Sequence, residues 1–374
     1  MKIVDRGTVF FGEAGSEYSS SAFPGVCALP TGRWLVWFRA ARRKKDALPQ
    51  RLLVTWSDDD GRTWVKPIEP FRRKVLNGVP GGWRAGHTTP LGGARALAVL
   101  YWVDESNPAL PFFNETTEGL LDSRIFLALS NDNGATWSEP QFIDTAPFNM
   151  PVAITGPILL MPNGEWALQF ETNKPYYDRS MWRHASVMMF SRDQGQTWPE
   201  YVQVAADPDA RIFYWDQRPS VCRDGSVMDV FWTFDRKRAI YLNIHARLSR
   251  NNGRTWPALW DTGLSGQPGP CLSLADGRLA MPYVDREGPT VIKLRCSEDG
   301  GRSWPAESEV MLDDTLTRKQ QFSKRGMRDA WTEMGKFSVG LPASALLPTG
   351  DVLVVYYAGS ESDHTGIHWV RIEP

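Results

Sequence analysis

The sequence predicts an all-β protein, and more specifically a six-bladed β-propeller with four antiparallel strands in each blade. Three observations lead to this prediction: an octapeptide that occurs five times, a glycine-containing turn that occurs six times, and apolar runs of strand length around both. Amphipathic helix patterns are nearly absent. One such repeat cannot bury its apolar face alone, so the copies are expected to pack side by side around an axis.

The octapeptide follows the pattern S-x-D-x-G-x-[ST]-W, with Asn251 as the single departure at its third position. An Asp or Asn there can accept hydrogen bonds from backbone amides just ahead of it, and the glycine can take a positive φ. The closing tryptophan is a large apolar group that can pack between neighbouring blades. Each copy is therefore expected on the hairpin between the third and fourth strands of a blade, at residues 57–64, 130–137, 191–198, 249–256 and 297–304.

The second repeat is a tight glycine turn that is followed by an apolar strand and is usually preceded by proline and another short apolar strand. Its six copies contain Gly32, Gly93, Gly164, Gly225, Gly277 and Gly350. The sixth unit lacks the octapeptide, and the N-terminal stretch 7–11 is expected to supply its fourth strand and close the ring. We expect one domain over residues 1–374, with a possible insertion at 315–336 between blades five and six that could fold over the site.

The composition excludes several functional classes. The chain has 42 Lys and Arg against 43 Asp and Glu, a net charge of −1, whereas nucleic-acid and membrane-surface binders usually carry a basic excess. There is no apolar run of the ~20 residues that span a bilayer and no signal-peptide pattern, and the four cysteines are scattered. These features favour a cytoplasmic location. Histidine and cysteine spacings typical of metal sites are absent, as are phosphate-binding loops, so neither a metal nor a cofactor is expected.

Antiparallel connectivity places the glycine turns and octapeptides at one end of the blades. The starts of the first strands and the loops after the second strands lie at the other end, where the innermost strands converge and where we expect the functional site. Arginine, which binds carboxylates, and aromatic rings, which pack on sugar faces, are frequent there, with Trp83, Trp102 and Trp215 as candidate platforms. The predicted partner is a small acidic carbohydrate. The alternative is a solvated rim whose charges pair with one another.

The octapeptides and blade pattern together resemble the sialidase (neuraminidase) superfamily of BNR-repeat, or Asp-box, proteins. This resemblance implies the same propeller fold and glycosidase chemistry. In the stretch 41–46, Asp46 falls in register with the acid/base Asp of that superfamily. Elsewhere the catalytic pattern is largely unmatched: Ala22 stands where the first arginine is expected, Arg218 where the glutamate is expected, and Leu341 near the nucleophilic tyrosine. A conventional sialidase is therefore not expected.

The favoured function is a glycosidase-like enzyme that acts on an acidic or modified sugar. Asp46 would protonate the leaving oxygen, while His87 and Tyr357 are the other candidate catalytic groups, because histidine titrates near neutrality and tyrosine can serve as a base. The candidate substrate-binding residues lie at the same end of the blades and are Arg42, Arg84, Glu171, Trp215, Asp216, Gln217, Arg218, Arg236 and Asp285.

Two other functions fit the same residues. In a uronate-type polysaccharide or oligosaccharide lyase, an arginine would neutralise the sugar carboxylate and His87 or Tyr357 would abstract the neighbouring proton. In a carbohydrate-binding propeller, the same pocket would hold a sugar without chemistry. The sequence leaves the sugar, its linkage, the stereochemical outcome and the oligomeric state open.

Overall fold

The structure is a computed structural model that describes residues 1–45, 50–287, 289–313 and 326–374. It is built almost entirely from antiparallel strands in a propeller-like arrangement, which confirms the predicted all-β class. The first strands in the chain are β1 (Lys2–Phe10), β2 (Ser20–Ala28), β3 (Trp34–Ala41) and β4 (Gln50–Ser57).

The next strands form a second sheet and a small separate hairpin. They are β5 (Lys74–Leu76), β6 (Val79–Gly92), β7 (Arg95–Asp104), the hairpin strands β8 (Phe113–Asn114) and β9 (Gly119–Leu120), and then β10 (Ser123–Ser130) and β11 (Gln141–Phe142). The sheet order is β11-β10-β7-β6-β5, and β8 pairs with β9.

Three further sheets repeat this arrangement. The third contains β12 (Val152–Ile154), β13 (Leu159–Leu160), β14 (Trp166–Thr172), β15 (Ala185–Ser191) and β16 (Glu200–Ala206). The fourth contains β17 (Ile212–Trp215), β18 (Ser220–Val221), β19 (Val227–Asp235), β20 (Ile240–Tyr241), β21 (Asn243–Ser249) and β22 (Trp260–Ser265). The fifth contains β23 (Gln267–Pro268), β24 (Leu272–Ser273), β25 (Leu279–Asp285), β26 (Val291–Ser297) and β27 (Val310–Asp313).

From residue 326 onward, the described residues form one short helix and three strands. A 3₁₀ turn at Ala306–Ser308 precedes β27, and α1 (Met327–Met334) precedes β28 (Val339–Leu346), β29 (Val352–Glu361) and β30 (His364–Glu373). The helix α1 falls in the stretch predicted as an insertion, whose residues 315–325 lie outside the described residues. No described helix is long and apolar enough to cross a membrane.

The two ends of the chain meet in one sheet. Strand β1 runs antiparallel to β30, from Lys2 opposite Glu373 to Phe10 opposite Ile367. A single parallel bridge between Ser20 and Thr365 continues this sheet into β2, which gives the order β28-β29-β30-β2-β3-β4. The N-terminal stretch therefore pairs with the strand that the sequence predicted as its neighbour.

Each octapeptide forms the predicted turn. In the first copy, Asp59 accepts hydrogen bonds from the Thr63 amide at 2.8 Å and the Thr63 hydroxyl at 2.7 Å. Gly61, at φ +82°, donates its amide to Ser57 Oγ at 2.9 Å, and its carbonyl accepts the Trp64 indole N–H. Asn251 in the fourth copy accepts the equivalent amide bond, from Thr255 at 2.9 Å, which explains why Asn is tolerated there.

The core lies between neighbouring sheets. One cluster joins the second and third sheets, with Val99, Ile125 and Phe170 fully buried, and corresponding clusters occur at the other junctions between neighbours. Trp34 and Trp37 are buried in two of these clusters. Most of the tryptophan excess therefore stabilises the packing of sheet on sheet.

The innermost strands are irregular, and this irregularity positions the site. β2 has a bulge at Phe23, whose φ is +56°, and β28 has one at Leu341, whose φ is +47°. The third, fourth and fifth sheets interrupt their inner strands, each near a proline. Bulges and prolines break the regular alternation of side chains and redirect them.

One predicted strand is reduced to a single isolated bridge. The sequence predicts a fourth strand after the first octapeptide, but the structure has only an isolated antiparallel bridge there, between Val54 and Ile68. The following residues 69–73 include three charged side chains and a proline, which do not favour a strand.

Candidate functional site

The inner strands enclose a cavity of about 830 Å³ that extends from Lys44 and Asn173, at the end where the site was predicted, to Leu160 and Leu346 near the glycine turns. Residues from β2, β6, β28 and the interrupted inner strands of the third, fourth and fifth sheets line it, and α1 covers part of it through Trp331. Trp331 stacks on Phe113 with ring centroids 4.8 Å apart. A large cavity lined by so many strands is the default binding site.

Arg84 enters the cavity from β6. Its guanidinium lies 4.3 Å from the ring centre of Phe112 and 5.2 Å from that of Phe23, and it donates one hydrogen bond to Gln50 at 3.3 Å. No salt bridge to Arg84 occurs among the described residues. The two rings therefore hold a cation whose remaining donors are available to a ligand.

Arg218 reaches the cavity from the segment between β17 and β18. Its guanidinium donates to the Thr155 carbonyl and lies 3.6 Å from the Asp216 carboxylate, while its buried Nε has no hydrogen-bond partner among the described residues. Asp216, at φ +49°, also accepts a hydrogen bond from the Gln267 amide at 2.5 Å. The pair presents one cation and one carboxylate on the same wall.

Glu171 lies at the end of β14 and lines the same wall. It accepts the Gln217 backbone N–H at 3.2 Å, and its other oxygen lies 3.5 Å from Nε2 of His184, a buried ring that stacks on Phe213. Burial raises the pKa of Glu171, and the nearby Asp216 carboxylate acts in the same direction.

Tyr357 lines the cavity from β29, and its hydroxyl is bound to an amine. Its hydroxyl accepts a hydrogen bond from Lys44 Nζ at 2.8 Å, and the same Nζ donates to the Phe337 carbonyl at 2.5 Å. Burial and the neighbouring Arg286, Arg39 and Arg84 lower the pKa of Lys44 well below its ordinary value. Burial raises the pKa of Tyr357 to about 12, against the opposing effect of Arg286.

His87 lines the cavity from β6, the innermost strand of the second sheet, on which the sequence predicted it. Burial, together with the positive charge of Arg218, lowers its pKa to about 3. The imidazole is therefore neutral at neutral pH and cannot donate a proton as an imidazolium.

Of the three tryptophans predicted as sugar platforms, one lies at the cavity. Trp215 lines it, whereas Trp83 and Trp102 are buried between the first and second sheets and donate their indole N–H groups to the carbonyls of Arg72 and Lys74. Their side chains point to the sheet junction because alternate residues of β6 and β7 face the core.

Four predicted binding residues lie away from the cavity lining. Arg42 is exposed, and Gln217 is fully buried, with its amide bound to the carbonyls of Phe170 and Val187. Arg236 pairs with Glu118, and Asp285 pairs with Lys293. The predicted acid Asp46 lies outside the described residues, although its near neighbours Lys44 and Lys45 line the cavity. The cavity itself brings together His87, Tyr357, Arg84, Glu171, Trp215, Asp216 and Arg218.

The sequence places Lys44, Gln267 and Arg286 at the site end of the blades but assigns none of them a role. Gln267 binds Asp216 and accepts a hydrogen bond from Arg286 at 2.6 Å, so it links the fourth and fifth sheets at the cavity. Arg286 also lies 3.6 Å from the ring centre of Phe337. The only signal in the sequence for these three residues is their predicted position at the end of the blades where the functional site is expected. In the described ranges, no cluster of three or more His, Cys, Asp or Glu side chains could hold a metal ion.

Comparison with known proteins identifies the fold. The BNR repeat-like domain family matches residues 97–353. No curated protein matches the sequence significantly. Among solved structures, a protein of unknown function from Dyadobacter fermentans DSM 18053 is similar at a TM-score of 0.75 and 20% identity, over 100% of this chain and 98% of that one.

Sialidase structures are also similar. The Hadza microbial sialidase Hz136 has a TM-score of 0.67 and 15% identity, over 96% of this chain and 66% of that one. The intramolecular trans-sialidase from Ruminococcus gnavus, solved with oseltamivir carboxylate, has a TM-score of 0.66 and 13% identity, over 98% and 96% of the two chains. The chain therefore belongs to the BNR repeat-like domain family and has the fold of the sialidase superfamily.

Proposed function

We propose that this protein binds a small anionic sugar in the cavity and cleaves a glycosidic bond next to it. The observation that carries the proposal is the pair of cavity-lining guanidinium groups, Arg84 and Arg218, of which Arg84 makes one hydrogen bond, to Gln50, among the described residues. Arginine binds carboxylates in a fork geometry, and a buried site strengthens that interaction. Trp215 offers an apolar face for the sugar ring.

We also propose that the strands form one domain of six blades, closed by the N-terminal strand. The pairing of β1 with β30 and the contribution of inner strands from every sheet to one cavity support this arrangement. A closed ring would fix the arginines of different blades relative to one another, which is the preorganisation that a binding site needs.

The proton donor for cleavage would be one of two acids. Asp46 is favoured by its place in the sequence, directly after the cavity-lining Lys44 and Lys45. Glu171 is favoured by its place in the cavity wall. Either would protonate the leaving oxygen, as a general acid does in glycoside hydrolysis.

The proposed function is tested by calorimetric titration with glucuronic, galacturonic and sialic acid glycosides and with their neutral counterparts. The wild-type protein should bind an anionic sugar, and Arg218→Met should weaken that binding about tenfold or more, the cost of a lost charged hydrogen bond. Arg278→Gln is the matched control, because Arg278 pairs with Asp276 beside a glycine turn. Equal affinity for neutral and anionic sugars would contradict the proposal, and binding without cleavage would favour a carbohydrate-binding propeller.

A lyase is the second candidate, and Tyr357 is the observation that favours it. Its hydroxyl lies 2.8 Å from the buried Lys44 amine and beside Arg286, an arrangement that could stabilise a phenolate during proton abstraction. A lyase would release an unsaturated sugar that absorbs in the ultraviolet, whereas a hydrolase would not. Tyr357→Phe should abolish that absorbance change if Tyr357 is the base.

A further inference from the structure

Two carboxyl groups share one wall of the cavity, and the chain holds both in place. Gln217 is fully buried and fixed by hydrogen bonds from its side chain to the Phe170 and Val187 carbonyls. Its backbone N–H binds the carboxylate of Glu171, and the residue just before it is Asp216. Glu171, on β14, and Asp216, just after β17, are therefore held close together across two sheets.

The surroundings of the two carboxyl groups differ: those of Asp216 favour a negative charge, and those of Glu171 favour a protonated carboxyl group. Asp216 is partly open to the cavity, accepts the Gln267 amide at 2.5 Å and faces Arg218 at 3.6 Å, and both contacts stabilise negative charge. Glu171 is buried, and its second oxygen faces the His184 ring at 3.5 Å without a well-formed hydrogen bond between them. Carboxyl pairs in unequal environments divide the roles of proton donor and anion in many enzymes.

We propose that Glu171 is the general acid of this site and that Asp216 is the carboxylate that stabilises the reacting sugar. This inference rests on the proposed function and deepens it. The proton of Glu171 passes to the glycosidic oxygen as the bond to the anomeric carbon breaks and its electron pair moves to that oxygen. Asp216 stabilises the positive charge that develops on the sugar ring. Water then adds to the anomeric carbon, and its proton returns to Glu171.

The charges around Glu171 agree with this assignment. Burial raises its pKa, and the neighbouring carboxylate adds to that effect. The charged and titratable groups that face it come from several packed elements and are His184, Asp216, Arg218, Tyr101 and Asp229. Among them, the Asp216 carboxylate disfavours a second negative charge on Glu171, whereas His184 acts in the opposite direction.

The first test compares leaving groups. Phenyl and para-nitrophenyl glycosides of glucuronic, galacturonic and sialic acid serve as probes, since the nitrophenolate leaves without help from an acid. Glu171→Gln should lower kcat/KM about 100-fold or more on the phenyl glycoside and far less on the para-nitrophenyl one. Asp46→Asn and the exposed Glu139→Gln are the comparison variants. Equal losses on both probes for Glu171→Gln, or the selective loss in Asp46→Asn instead, would overturn the proposal.

The second test does not depend on turnover. Infrared difference spectra recorded across neutral pH should contain the carbonyl stretch of a protonated carboxyl group that disappears in Glu171→Gln and persists in Glu139→Gln. Its absence in the wild-type protein overturns the inference even when anionic sugars bind and are cleaved. Failure of every anionic sugar to bind instead refutes the proposed function, with the protonation of Glu171 still read directly from the spectra.

Discussion

At the scale of single residues, this protein buries several ionisable side chains. Lys44, Glu171 and Asp229 are all buried, yet each contributes differently. Lys44 and Glu171 line the cavity. Asp229, on β19, is fully buried away from the cavity lining, and its carboxylate lacks a well-formed hydrogen bond among the described residues. It should therefore cost stability rather than provide chemistry.

Asp229 gives a prediction about pH. Burial raises its pKa well above the ordinary 3.8, so folding favours its protonated form. The stability linked to that proton is complete below the unfolded pKa and is lost as the pH rises toward the folded pKa, at about 1.4 kcal/mol per pH unit. Asp229→Asn should remove this loss and make the protein more stable at neutral pH. Urea unfolding at several pH values measures the difference.

The exposed Asp209 provides the control for this prediction. Asp209→Asn should leave the dependence of unfolding free energy on pH as it is in the wild-type protein. Parallel pH curves for wild type and Asp229→Asn would show that Asp229 is ionised in the folded protein.

The sequence allowed some of the cavity-lining residues to be predicted, from their positions along the predicted strands. Arg84, Glu171 and Arg218 do line the cavity. Gln217 does not, because the positive φ of Asp216 breaks the alternation of side chains just before it. No local pattern in the sequence indicates that the amine of Lys44 turns inward to Tyr357.

At the scale of elements, the octapeptide turns were fully predictable because their chemistry is local. In the fifth copy, Asp299 accepts the amides of Arg302 and Ser303 at 2.9 Å each and the Ser303 hydroxyl at 2.6 Å. The bulged inner strands were not predictable in the same detail. Their irregularities, at Phe23 and Leu341, depend on how neighbouring sheets converge rather than on local turn chemistry.

Substitutions of Asp299 test how hydrogen bonds stabilise the octapeptide turn. Asp299→Asn should change the unfolding free energy little, because Asn251 makes the equivalent amide bond in the fourth copy. Asp299→Ala removes every acceptor and should cost about 1–2 kcal/mol. Denaturant unfolding of both variants measures the two changes. Equal destabilisation by Asn and Ala would mean that the negative charge, rather than the hydrogen-bond geometry, stabilises the turn.

At the scale of the whole molecule, the arrangement links the two ends of the chain. β1 pairs along β30, and the cluster that contains Val9 also contains Trp34 from β3 and Trp369 from β30. The sequence predicted this pairing from the missing fourth strand of its last repeat. If the ring closes here, the strands on both sides of the junction should gain stability together, since each repeat is stabilised mainly by its neighbours.

Gly7→Val tests this closure. A Cβ at Gly7 would lie 2.8 Å from the indole nitrogen of Trp369, a buried ring 5.2 Å from Trp34, so the junction must shift at a cost of about 1–3 kcal/mol. Hydrogen exchange should then rise together in β2–β4 and β28–β30, with a lower melting temperature. Gly326→Ala is the control, because its Cβ would meet open space. Faster exchange confined to β1 would mean that this strand is an ordinary edge and that closure depends on other contacts.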